Sequence, residues 1–186
     1  MVEFNNNYIL ENKLSSSYQN QVVNAVKLFF NVALLKRINP ELIHRPKQPK
    51  NLPNVLSKEE IKQILSAQNN IKHKAMLSLI YSCGLRCGEL LRLKLTDIDS
   101  KRGLLVIRQS KGKKDRIAPL SEKIVDILRD YYLAHKPTEY LFEGQVKGTA
   151  YDERSLQQVL KQAVQKCKIT KPVSLHWLRH SYATHL

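Results

Sequence analysis

Acidic residues are scarce in this chain of 186 residues. Only 16 Asp and Glu stand against 31 Lys and Arg, a formal net charge of +15 at pH 7, with an isoelectric point near 9.8. An imbalance of that size points to a polyanionic partner, nucleic acid first and an anionic membrane surface second. The membrane reading finds no support. No apolar run is long enough to span a bilayer, and there is neither a signal-peptide pattern nor a basic helix with an aromatic face. Cysteine is nearly absent. The three present (Cys83, Cys87 and Cys167) make an odd count, which argues against a disulfide framework. Nor does a chain of this length need one, since a single domain of its size buries roughly 70% of its unfolded surface. Internal repeats and low-complexity tracts are also lacking. A soluble, cytoplasmic protein that touches DNA or RNA is the expectation these absences leave.

Along the chain, an Asn- and Ser-rich start gives way to a helix expected over Tyr18 to Lys36, with Val22, Val26, Phe29, Phe30 and Ala33 at helical spacing. Arg45-Pro46-Lys47-Gln48-Pro49-Lys50-Asn51-Leu52-Pro53 then holds three prolines and three basic residues. Prolines fix φ and remove donors, so this stretch reads as an extended linker at a domain boundary, an ordinary long surface loop being the other reading. The boundaries expected are 1–44 for a first, partial domain, 45–54 for the linker and 55–186 for a second. Ser57-Lys58-Glu59-Glu60 is a capping box that opens a helix. Further helices are expected from about Lys72 to Ser82 and from Arg86 through Leu93. The apolar run Leu104 to Ile107, with β-branched Val106 and Ile107, and the segment Arg116 to Leu120 read as two strands of a hairpin. Three more helices follow: Ser121 to Tyr132, Asp152 to Cys167, and Ser174 to Leu186. The fold class is mainly α with a small antiparallel β-sheet (α+β). The last helix runs to Leu186 with no Gly, Asn or Pro to end it, and the first has nothing on which to bury its apolar face. The chain reads as the middle of something longer.

Positive charge is concentrated in two places. Lys101 to Arg116 holds seven basic residues and one acid; Lys161 to Leu186 holds five basic residues, three histidines and no acid. The hairpin tip Lys111-Gly112-Lys113-Lys114 projects several ammonium groups together, as phosphate contacts require. His176, Arg179 and His180 fall at i, i+3 and i+4 and share one helical face, suited to an anionic oxygen. The two histidines also match the spacing of metal ligands on a helix, but the usual glutamate is lacking and an arginine lies between them. Cys83 and Cys87 flank an apolar helix junction, so neither metal nor cofactor is expected. Finally, Gly84 ends one helix and Arg86 opens the next, where its forked donors join the open N–H groups of a helix start. Glu89, one turn on, orients Arg86 or merely solubilises the helix.

Together, Gly84-Leu85-Arg86-x-x-Glu89-Leu90, Lys111-Gly112-x-Lys114-x-Arg116 and His176-x-Leu178-Arg179-His180-Ser181-Tyr182-Ala183-Thr184-His185-Leu186 resemble the tyrosine recombinase, or phage integrase, family. Order and spacing agree, with 25 residues from Arg86 to Lys111 and 93 from Arg86 to Arg179. The resemblance covers most of a catalytic domain, preceded by part of a helical core-binding, DNA-binding domain. It implies that Arg86 and Arg179 clamp the non-bridging oxygens of a DNA phosphodiester, each through charge-assisted bonds of roughly 1.5–3 kcal/mol. Lys111 would protonate the departing 5′ oxygen, with Lys113 and Lys114 depressing its pKa or competing for the role. His176 would share a proton between nucleophile and phosphate. Glu89 would support Arg86, and His180 would either buttress the site or pack in the core. Arg45, Lys47, Lys50, Lys113, Lys114 and Arg116 would contact the DNA backbone.

The implied partner is double-stranded DNA, with a homo-tetramer of the intact parent protein assembled on two duplexes. No membrane, small-molecule substrate, metal or nucleotide takes part, and the setting is cytoplasmic and nucleoid-associated. The family's nucleophile is a tyrosine on a later helix, preceded by a His or Trp, and both positions fall past Leu186. Tyr182 matches the aromatic position inside the His-x-Leu-Arg-His-Ser motif instead. DNA binding without cleavage is therefore expected of these residues. A non-catalytic DNA-binding remnant and a type IB topoisomerase relative remain open as other readings.

Overall fold

The structure is a computed structural model and describes residues 8, 11–35, 54–108 and 114–186. Arg45, Lys47, Lys50, Lys111 and Lys113 lie outside the described residues, as does the expected linker apart from Asn54. The chain divides into two compact units, Met1–Leu52 and Pro53–Leu186.

In the first unit, helix α1 spans Ser16–Val32. It begins earlier than its apolar periodicity suggests because Ser15 caps it, accepting a hydrogen bond from the Tyr18 N–H at 3.2 Å. It also stops short of Lys36. The buried positions are Gln19 and Val23, whereas Phe29 on the expected apolar face is 58% exposed. Amphipathic spacing identifies a stripe, but a stripe is buried only where a second layer covers it.

The second unit is mainly helical. Its helices are α2 (Lys58–Ser66), α3 (Ile71–Cys83), α4 (Cys87–Leu91), α5 (Glu122–His135), α6 (Glu153–Lys166) and α7 (Leu175–His185). The capping box at α2 is complete, with the Ser57 N–H donating to Glu60 at 2.8 Å and the Glu60 N–H to Ser57 at 3.1 Å. Asn70 caps α3 through the Lys72 N–H at 2.9 Å. Every residue from Ala75 to Ile80 is buried, which marks α3 as the central helix; it packs against α2, α4, α5, α6 and α7. Helix α4 has only one full turn and ends at Leu91, so Leu93 lies beyond it, buried in the core. Helix α5 runs three residues past Tyr132, ending where Lys136 turns left-handed at φ 45°.

The sheet has three antiparallel strands in the order β1 (Ile98–Asp99), β2 (Leu104–Ile107) and β3 (Arg116–Pro119). The short β1 is not apparent from the apolar pattern. Leu105 pairs with Ala118 and Ile107 with Arg116, which turns Leu105, Ile107 and Ala118 into the core.

Two features tie the ends of this unit to each other and to the corner after the central helix. The Ser181 hydroxyl on α7 accepts from the Leu56 N–H at 2.9 Å and donates to the Trp177 carbonyl at 2.7 Å. At the α3–α4 corner, Gly84 adopts φ 56°, and the Tyr182 ring of α7 lies directly over it. A Cβ at Gly84 would come within 2.6 Å of Tyr182 Cδ1, so only glycine meets both conditions.

Gly84→Ala should therefore destabilise the unit by about 1–2 kcal/mol from the left-handed backbone alone, with a further loss from displacing the ring. Adding Tyr182→Ala should remove the clash and leave the backbone cost, as a double-mutant cycle in chemical denaturation would report. An unchanged midpoint for Gly84→Ala would contradict this corner geometry.

After α5, the buried Glu143 carboxylate accepts from the Thr138 N–H, the Thr138 hydroxyl and the Glu139 N–H, each at 2.8 Å. The Glu139 N–H bond, ahead of the opposing effect of burial, holds its pKa down to about 2 against an ordinary 4.5. The unfolded chain thus takes up this proton first. Glu143 should contribute its full stability above pH 4.5 and lose it as the pH falls toward about 2. Thermal unfolding across that window should show a shallower acid dependence in Glu143→Gln, and identical profiles would rule out this role for Glu143.

Candidate active site

Helix α4 starts at the corner made by Gly84, with Arg86 as its N-cap residue. Glu89 is the third residue of that helix and points inward, leaving only 4% of the residue exposed. A carboxylate so poorly hydrated requires partners. Its Oε1 accepts from Arg86 Nη1 at 2.7 Å, and its Oε2 from the Arg86 N–H at 2.9 Å. Strand β3 supplies Arg116, whose Nη2 donates to Oε2 at 2.9 Å. Helix α7 supplies Arg179, whose Nη1 lies 3.7 Å from Oε2.

The Gly84 carbonyl, which the left-handed turn leaves without a helical donor, is the second acceptor. It takes hydrogen bonds from Arg179 Nη1 and, at 3.3 Å, from Arg116 Nη2. Three guanidinium groups from three elements thus converge on one carboxylate and one carbonyl. Their side chains remain between 26% and 38% exposed, so the cluster is anchored from below and open to solvent above.

His176 and His180 stand beside it on α7 with ring centroids 4.5 Å apart and planes nearly perpendicular. Burial, followed by the nearby His180, Arg179 and Arg86, pushes the His176 pKa below its usual 6.5. The imidazole is consequently neutral at physiological pH, with a lone pair able to accept a proton. Arg179 is lowered as well, first by desolvation and then by repulsion from Arg86 and Arg116 that Glu89 offsets. An anion placed over the cluster would relieve that repulsion. A cavity of about 700 Å³ opens next to Arg86 and His176, bordered by Gln157, Lys161 and Lys171. Among the described residues, no three His, Cys, Asp or Glu side chains come together as a metal-binding group.

Of the residues singled out from the sequence, Arg86, Glu89, Arg179, His176 and His180 are brought together. Lys114 is exposed near the start of β3. Arg116, expected from the sequence at the DNA backbone, lies within the arginine cluster. Sequence spacing does not reveal that position, because Arg116 and Glu89 are 27 residues apart and meet only through the placement of β3. Nor does it reveal Gly84 as a shared acceptor, or Tyr182 as the ring seated on it; the available signal is a glycine at a helix end, the residue that favours a positive φ there.

Comparison with known proteins identifies the family. The phage integrase family matches residues 54–186. The putative integrase/recombinase y4qK of Sinorhizobium fredii is 38% identical over 177 residues, covering 95% of this chain and 58% of that protein. The tyrosine recombinase of Pseudothermotoga lettingae is 35% identical over 181 residues, covering 94% of this chain and 62% of its own length. The chain thus spans about three fifths of these relatives. Among solved structures, the XerA recombinase superposes with a TM-score of 0.66 at 30% identity, covering 98% of this chain and 65% of that one. A XerH recombinase solved in a post-cleavage complex with palindromic difH substrate shares the fold, with a TM-score of 0.77 at 23% identity over 98% of this chain and 59% of its own. With a family match across the second unit and relatives above 30% identity along nearly the whole sequence, the chain belongs to the phage integrase family of tyrosine recombinases.

Proposed function

We propose that this chain serves site-specific recombination of double-stranded DNA, with residues 1–44 as part of a core-binding domain, 45–54 as the linker and 55–186 as the phosphate-holding part of a catalytic domain. The convergence of Arg86, Arg116 and Arg179 on Glu89 and Gly84, beside His176, carries this reading. That arrangement suits a tetrahedral phosphate whose non-bridging oxygens gain negative charge during attack. Arg86 and Arg179 bind those oxygens, and His176 shares a proton with the nucleophile and the phosphate. Glu89 orients Arg86, and His180 supports His176. Arg45, Lys47, Lys50, Lys113 and Lys114 follow the DNA backbone.

In the proposed reaction a tyrosine oxygen attacks phosphorus and the bond from phosphorus to the 5′ oxygen breaks. The departing oxygen takes its proton from Lys111. A second 5′ hydroxyl then reverses the step, so the phosphotyrosine link conserves the bond energy and no nucleotide is consumed. The intact recombinase does this as a homo-tetramer on two duplexes, in the cytoplasm at the nucleoid.

Residues 1–186 by themselves hold the phosphate without forming the covalent link. Supporting this, Tyr182 packs over Gly84, Tyr81 is hydrogen-bonded to His185 at 3.0 Å, Tyr151 to His73 at 3.1 Å, and Tyr131 is buried against Phe142. Each of these tyrosines has a structural task.

Binding to a mixed-sequence duplex should weaken with salt. With five phosphate contacts, log K falls against log salt with a slope of about −4.5. Replacing Lys113 and Lys114 together with alanine should flatten the slope by about 1–2 units, and an unchanged slope would turn the hairpin away from DNA. Denaturing electrophoresis after incubation with nicked duplex should show no protein–DNA adduct; a covalent band would contradict binding without cleavage.

A further inference from the structure

On the reading just given, we infer that Arg116 is a positioning residue, which holds the Glu89 carboxylate and the Gly84 carbonyl so that Arg179 stays aimed at the phosphate. The sequence pattern places it among the backbone contacts of a basic hairpin. In the structure its guanidinium turns inward, while Lys114, two residues earlier, is exposed. Arg116 Nη2 reaches Glu89 Oε2 at 2.9 Å and the Gly84 carbonyl at 3.3 Å.

Those are the same two acceptors that Arg179 approaches. Arg179 Nη1 is hydrogen-bonded to Gly84 but remains 3.7 Å from Glu89 Oε2, beyond hydrogen-bonding distance. Two guanidinium groups therefore compete for one buried oxygen, and Arg116 occupies it. Without Arg116 that oxygen loses a charged partner, and among the described residues Arg179, with Nη1 3.7 Å away, is a cation near enough to replace it. Closing the gap draws the Arg179 guanidinium down onto Glu89 and away from the solvent-facing side where a phosphate would lie. Arg116 also follows Lys111 by five residues in the chain. The carboxylate that orders Arg86 is thereby tied to the strand that continues from the proposed general acid.

The imidazole of His176 reports on this arrangement without DNA. Arg179, Arg86 and His180 are the charged and titratable groups that lower it, after burial, and Arg116 is not among them. Arg116→Gln should act on His176 only through movement of the other arginines. In the DNA-free chain, the His176 midpoint followed by NMR should rise toward its ordinary value. Affinity for a mixed-sequence duplex should fall about tenfold, against a smaller change for Lys114→Ala. A His176 midpoint that stays at the wild-type value in folded Arg116→Gln would overturn the assignment and return Arg116 to the DNA backbone. A purely structural role would lower the unfolding temperature and leave that midpoint in place, which would overturn the assignment equally. If the wild-type chain fails to bind the duplex, the recombinase reading falls, and the His176 midpoint still decides the role of Arg116.

Discussion

Burying one carboxylate in a protein so poor in acids organises much of the second unit. Glu89 has almost no access to water, and its charge is tolerated because Arg86, Arg116 and Arg179 surround it. Those arginines come from the start of α4, the start of β3 and the middle of α7, so the carboxylate acts as a common reference for three elements distant in sequence. Gly84 completes the arrangement. Its left-handed backbone turns α3 into α4 within a few residues, frees a carbonyl for two of the guanidinium groups, and leaves room for the Tyr182 ring.

The remaining parts of the unit deliver these groups. The central helix α3 is covered on every side and carries the corner at its end. The pairing of β2 with β3 fixes where Arg116 begins its strand. Helix α7 is tied back by Ser181 to the backbone at Leu56, so its polar face, with His176, Arg179 and His180, cannot turn away from the corner. The result is a shallow positively charged cradle with a neutral imidazole at its edge. Mutual repulsion among its arginines favours an anion with several oxygens, and a DNA phosphate is one.

Much of this is legible in the sequence because it is local. The capping box at Ser57, the Gly84 stop, the hairpin and the shared face of His176, Arg179 and His180 all depend on residues within a few positions of one another. What escapes depends on distance. Arg116 has the same local pattern whether it points to solvent or to Glu89, and only the register of β3 decides. Strand β1 has two residues and no periodicity to detect. The buried positions of α1 are not the ones its stripe suggests, since burial depends on neighbours that spacing does not encode. Helix α5 outruns its expected end because Lys136, without being a glycine, takes the left-handed turn that ends it.

On the function proposed above, Glu89 orders the arginines, and this matters more to phosphate binding than the total positive charge. The two influences make opposite predictions for one variant. Glu89→Gln removes a negative charge, so charge alone would tighten DNA binding. The measurement is the affinity of the folded Glu89→Gln chain for a mixed-sequence duplex at fixed salt, beside the wild type. If the buried carboxylate positions the guanidinium groups, the variant binds more weakly despite its higher net charge. Equal or tighter binding would contradict the central claim and leave Glu89 as a structural ion-pair partner.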